Sequence, residues 1–199
     1  MKLTELEEKF NIKYPDKWRE IYETGAMEWM EIENSEFLKN VHKYTDDPKA
    51  FFMLDCDCEP LSVWDIEERV DELKEWISWR CEDEDVSFDE NIKLVPFAMT
   101  GAGDLYCFMY MQGDSEPEVI LYAHDEYDDP DILGKDFDEF LYVMMLDAVN
   151  WDEDIEGEHW QAHLDYLSDE YREELEGKSS DELIEEYESM VFEKAVIFR

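Results

Sequence analysis

Positive charge is what this chain has least of. Its 199 residues carry 17 Lys and Arg against 57 Asp and Glu, a formal net charge of −40. A surface of that sign repels the phosphates of nucleic acids and the headgroups of anionic membranes, so neither is an expected partner, whereas a basic macromolecule is attracted. The plainer reading of the same charge is that it keeps the chain soluble or suits it to salt. Cysteine is scarce as well. Cys56, Cys58, Cys81 and Cys107 have neither disulfide-framework density nor CxxC pairing, which points to reduced thiols. No apolar run approaches the roughly 20 residues that cross a bilayer. The opening stretch MKLTELEEKF has no signal-peptide core, so a cytoplasmic protein is expected. Also missing are a GxSxG elbow, a Walker loop, a deaminase signature, zinc-finger spacing, internal repeats and a flexible linker.

Apolar residues are not scarce. At 44% hydrophobic and 15% aromatic, the chain has the material for a substantial core and is no disordered acidic tail. Its length suits one domain plus an extension. From Ile92 to Asp125 three apolar runs are separated by two turn clusters, which predicts a three-stranded antiparallel meander. In the middle run Leu105, Cys107, Met109 and Met111 alternate with Tyr106, Phe108 and Tyr110, so neither face of that strand can meet water. Gly101 and Gly103 are expected to turn the first connection, and Gln112 to Pro117 the second.

Around the meander the spacing predicts helices. Leu3, Leu6 and Phe10 share one face, with Thr4 and Glu7 as a candidate capping box. Trp18, Ile21 and Tyr22 share another, opened by Pro15 and stopped by Gly25. Met27 to Asn40 fits neither period, and Ala50 to Leu54 suits a short strand. Ile66, Val70, Leu73 and Ile77 form the clearest helical stripe, capped by Ser62 and ending before Glu82, Asp83, Glu84 and Asp85, which read as a solvated loop. Phe137, Phe140, Leu141, Met144 and Met145 give another stripe. Beyond Asn150, Trp160, Leu164 and Leu167 suggest one helix, Tyr171 and Leu175 a second ending at Gly177, and Ser179 with Glu182 caps a third. Ala195 to Phe198 could form a strand.

The strand ending in Pro96, Phe97 and Ala98, the turn with Gly103 and Asp104, the aromatic strand Leu105 to Tyr110 and the strand closing on His124 and Asp125 resemble the SUKH superfamily. That family contains many bacterial immunity proteins and a yeast cell-wall regulator. Its members typically open with an acidic amphipathic helix, a proline starting a second helix, and a glycine; Leu3 to Phe10, Pro15 and Gly25 stand in those places. The resemblance marks Pro15, Gly25, Pro96, Phe97, Gly103, Asp104 and Asp125 as fold-determining and carries no catalytic signature.

Candidate chemistry in the residues is thin. Gly101 and Gly103 precede a strand, not the helix a nucleotide fingerprint needs. His159 and His163 are spaced for one metal ion, but Trp160 stands where a metalloprotease has its general base. Asp152, Asp154, Glu156 and Gly157 match part of a calcium loop whose twelfth position is His163 in place of a glutamate. Acidic neighbours of Cys56 and Cys58 work against a thiolate. No catalytic, cofactor or metal residue is assigned.

The expected fold is α+β: a mainly antiparallel sheet with a central meander flanked by helices in residues 1–150, and a helical extension packed on it in 151–199. The resemblance implies a non-enzymatic immunity protein that neutralises a cognate protein toxin, often a nuclease and so basic, without cofactor. A regulatory scaffold is the alternative within the family, and a metal-dependent hydrolase using His159 and His163 the alternative outside it. Candidate partner-binding residues are Glu82, Asp83, Glu84 and Asp85 before the meander and Asp125, Glu126, Asp128, Asp129 and Asp131 after it, because loops on rigid strands are where recognition sits.

Overall fold

A computed structural model describes residues 2–199 apart from 33, 38, 52, 53, 55, 114, 115, 126, 127 and 152. Its six-stranded sheet runs in sequence order with every neighbouring pair antiparallel: β1 (Glu59–Pro60), β2 (Ile92–Met99), β3 (Leu105–Met111), β4 (Glu118–Tyr122), β5 (Asp131–Gly134) and β6 (Glu193–Lys194). The meander is therefore as the turn clusters predict. Only Gly103 of the first-turn pair takes a positive φ, +101°, whereas the amide of Gly101 donates to Asp57 Oδ1 at 2.7 Å. Pro96 cannot donate to the ladder, and the register of β2 against β3 shifts between Pro96 and Ala98, a bulge that accommodates it.

Both faces of β3 are buried, and each has its own cover. Tyr106 and Phe108 join Val95 and Phe97 in a cluster with Trp18 of α2 (Asp16–Glu23) and with Phe137 and Phe140 of α6 (Phe137–Asn150). Ring centroids lie 4.3 Å apart for Phe97 and Phe108, 5.5 Å for Phe97 and Trp18, and 5.1 Å for Trp18 and Phe137. Stacked and edge-to-face contacts of this kind stabilise beyond the area they bury. On the other face Leu105, Cys107 and Met109 pack with Leu73 of α5 (Ile66–Glu84) and with Ala195, Ile197 and Phe198 from the end of the chain.

Local corrections have local causes. Helix α1 (Leu3–Phe10) begins before Thr4 can cap it; Glu5 Oε2 instead accepts the amide of Lys2 at 2.9 Å. Ser62 acts one turn ahead of α5, its hydroxyl donating to Asp65 Oδ2 at 2.7 Å. The expected strand at Ala50 to Leu54 is absent among its described residues, with 52 and 53 outside them; Phe51 instead turns into the core beside Trp18. A 3-10 turn at Glu28–Glu31 and a short helix, α3 (Asn34–Phe37), stand in the Met27 to Asn40 stretch that fits neither period, and a second short helix, α4 (Val41–Thr45), follows it. The last strand is Glu193–Lys194, and Phe198 makes only a single bridge, to Phe88.

The segment after α6 is helical, and its last helix starts at the predicted cap. Helices α7 (Glu158–Leu164), α8 (Asp169–Leu175) and α9 (Ser180–Ser189) follow α6, with the Ser179 amide donating to Glu182 Oε2 at 2.8 Å. Leu175 and Leu183 join the first cluster from α8 and α9. This is why Tyr142, Val143, Leu146 and Val149 are buried in α6 along with the predicted stripe. A helix buried all round needs partners on both sides, so truncation after Asn150 is expected to expose one side of α6 and remove the tail from β3's second face. Urea melts should show a lower midpoint, and light scattering should show aggregation; an unchanged midpoint with a monodisperse product would mean that the first 150 residues fold alone.

Candidate partner-binding surface

Arg80 joins the two acidic runs that flank the meander. From the last turns of α5 its Nε donates to Glu84 Oε2 at 2.8 Å and its NH1 to the Asp128 carbonyl at 2.8 Å, with Asp129 Oδ1 3.8 Å from NH2. The guanidinium lies 4.1 Å from the centre of the Phe198 ring. Arginine suits such a site because its planar fork donates to several acceptors while its face stacks on an aromatic. The side chain is only 10% exposed.

This clamp corrects the reading of residues 82–85 as a loop. Glu82, Asp83 and Glu84 continue α5, and Asp85, at φ +54°, closes it in the left-handed region. Acids at a helix C-terminus oppose its dipole, and Arg80 offsets that cost by pairing with Glu84. Glu82, Asp83, Glu84, Asp85, Asp125 and Asp128 are exposed, and Asp129 is half-buried. Asp131 starts β5 and faces Lys194 Nζ at 2.9 Å, so it belongs to the sheet edge rather than to the loop. Glu126 lies outside the described residues.

Next to the acids stand two tryptophans that charge patterning does not reveal. Trp79 is 59% exposed, and Trp76 stacks on Tyr122 and contacts the His124 ring, with centroids 6.3 and 5.6 Å away. The signal was in the sequence: Trp79 falls off the Ile66, Val70, Leu73, Ile77 stripe, so a helix must turn it outward. His124 is fixed by Asp104, whose Oδ1 accepts from the His124 amide at 3.1 Å and meets Nδ1 at 2.7 Å. Asp104, His124 and Asp125 are the one group of three among the described residues whose candidate ligand atoms lie within 4.8 Å of each other. Since Asp104 Oδ1 meets both the backbone amide and Nδ1 of His124, the arrangement works as a latch from the first hairpin to the end of β4.

Other candidate residues are engaged in the core or in turns. His163 is buried, with Nδ1 2.8 Å from the His159 carbonyl and its ring stacked on Phe51 at 5.9 Å, and neither it nor His159 belongs to the group of three candidate ligands found among the described residues. Burial pushes its imidazole down to about 4. Asp154 caps a turn into α7 through the Glu156 amide at 3.0 Å, and Asp152 lies outside the described residues. Burial, reinforced by Asp147, pushes the Cys56 thiol up to about 12, and Cys58 shifts the same way for the same first cause. All four cysteines are free thiols.

A two-faced antiparallel sheet covered by helices, with an acidic, tryptophan-bearing surface beside its strands, defines an α+β domain. The chain belongs to the SMI1 / KNR4 family (SUKH-1), whose family model matches residues 2–142. That membership is consistent with an immunity or regulatory protein, and the family is generally non-catalytic. The match stops within α6, so α7, α8, α9 and β6 lie beyond it. Neither curated proteins nor solved structures gave a match. Among the described residues no helix is long and apolar enough to cross a membrane.

Two measurements check this geometry. Arg80→Met should keep the stem's packing but strand Glu84 and the Asp128 carbonyl, costing roughly 2 kcal/mol in urea melts, as for hydrogen bonds to a charged group. A cost below about 0.5 kcal/mol, within the range of ordinary surface changes, would mean the clamp is incidental. For His163, the unfolded chain binds a proton between its ordinary pKa near 6.5 and the folded value of about 4. Stability from this residue is therefore complete above pH 6.5 and falls towards pH 4, by up to about 3 kcal/mol. His163→Phe should remove that slope relative to the native chain; parallel pH profiles would show that His163 titrates normally.

Proposed function

We propose that the protein is a cytoplasmic, non-enzymatic immunity protein that binds and occludes a basic protein toxin of the nuclease type. One observation carries the reading: Arg80 holds two acidic runs together, with Trp79 exposed on α5 one turn before Glu82 and Asp83. This arrangement combines the two ingredients of fast, tight recognition. Carboxylates steer a cationic partner into encounter, and a large aromatic side chain supplies an anchor that desolvates on contact. Nuclease surfaces grip phosphates and are basic, so they are complementary in sign to a chain of charge −40. Family membership supports the same class of role and equally a regulatory scaffold, which would also act through a stoichiometric complex.

The test uses a toxin encoded next to this protein's own reading frame. Association should slow markedly as salt rises through about 0.15 M, where screening reaches about 8 Å, while dissociation changes less. Replacing Glu82, Asp85 and Asp128 by Lys should slow association more than the same change at Asp181, Glu185 and Glu188 on α9. Trp79→Ala should instead speed dissociation, by roughly tenfold or more if it is an anchor. Equal effects of the two charge triples would leave only the overall field and remove this face as the site. Absence of a complex with any neighbouring toxin would favour the regulatory scaffold.

A further inference from the structure

The extension does more than cover α6: together with β5 and α6 it encloses a cleft. A cleft of about 540 Å³ lies between β5, the outer side of α6, α8 and the Met190 to Phe192 connection into β6. Its aromatic wall is a stacked pair, Tyr142 and Tyr171, with centroids 5.0 Å apart and planes 28° from parallel. The Tyr142 hydroxyl donates to Glu186, which also pairs with Lys178, so that ring is fixed from behind. At the lip Val191 is 92% exposed between half-buried Met190 and Phe192. Four carboxylates line the opening, Glu118, Glu139, Glu174 and Glu193, against the single ammonium of Lys135. Lys135 itself lies 3.6 Å from Glu139.

The chemistry of that lining selects its occupant. A neutral apolar ligand would have to desolvate carboxylates without return, and an anion would be repelled. A second copy of a chain carrying −40 would bring its own acids to the same place. A long cationic side chain satisfies each wall at once: its aliphatic stem lies on Val191 and Met190, its head meets the carboxylates, and a planar guanidinium stacks on tyrosine. Another cleft, about 530 Å³ beside α4 and α7, lacks this bias, because Lys43 and Lys49 line it together with Glu28, Asp47 and Asp165.

We infer that this cleft is a docking site for an arginine side chain presented by a basic protein partner. The inference rests on the reading of the partner as basic and adds a contact made by the extension, separate from the Arg80 face. It can be tested without any toxin. The full chain is titrated at about 0.15 M salt with the blocked tripeptide Ala-Arg-Ala and with its citrulline counterpart, which has the same shape without the charge, and amide signals are followed. Saturable shifts are expected at Gly134, Lys135 and Val191, with citrulline about tenfold weaker or more. Glu174→Gln and Tyr171→Ala should each weaken the arginine peptide severalfold. Val191→Lys, at a position too exposed to disturb folding, should block it, while Asp181→Asn and Glu185→Gln on the open side of α9 should not. Equal binding of citrulline, shifts spread evenly over the acidic surface, or equal effects of the α9 changes would overturn the site. Those results would leave the Arg80 face standing, whereas a native cleft titration beside a failed toxin experiment would sink only the immunity reading.

Discussion

A central strand with no polar face is the constraint from which the rest of this architecture follows. Since Leu105, Cys107 and Met109 point one way and Tyr106 and Phe108 the other, β3 is stable only if both sides of the sheet are covered. Helices α2 and α6 supply the first cover through a cluster of stacked and edge-on aromatic rings. Helix α5 supplies much of the second, but Leu73 and its neighbours are not wide enough alone, and Ala195, Ile197 and Phe198 complete it. Covering the second face therefore brings the end of α5, the β4–β5 loop and the end of the chain to one place. Arg80 is the side chain that meets all three.

Much of this was legible because periodicity and turn chemistry report burial directly. The meander could be read from its two turn clusters, α9 from Ser179 and Glu182, and α5 from its stripe. What escaped was set by contacts distant in sequence. Tyr142 and Val143 look like ordinary positions on the far side of an amphipathic helix until α8 and α9 arrive to bury them. Strand β5 is short and flanked by Asp131 and Gly134, and exists because β4 and β6 pair with it. The charged end of α5 reads as a solvated loop because a run of like charges carries no helical stripe; in the folded chain it stays exposed but is helical, with Arg80 holding Glu84.

The candidate surface was half legible for the same reason. Acidic residues are visible in any sequence, and their positions on either side of the meander put both runs beside its strands. Which of them cooperate depends on a single buried cation, and Asp131 and Asp129, two positions apart, end in different environments: one with Lys194 on the sheet edge, the other near Arg80. Trp79 carries no pattern that a charge survey can see. Net charge alone, spread over the surface of the protein, gives attraction without address, and it is the fixed aromatic groups that add position.

The ladder between residues 87–89 and 197–199 also bears on how the chain is made. Ser87 and Arg199 exchange amide hydrogen bonds at 2.8 and 2.9 Å, and the Asp89 amide donates to the Ile197 carbonyl at 2.9 Å. These contacts join segments more than a hundred residues apart in synthesis order. During translation the meander can form its hairpins as soon as they leave the ribosome, since those pairings are local. The second face of β3, however, is only partly covered, by α5, until residue 198 has emerged, and the rest of its apolar side is exposed to solvent for that interval. A nascent chain of this design therefore depends on its own dense negative charge to keep unfinished copies apart.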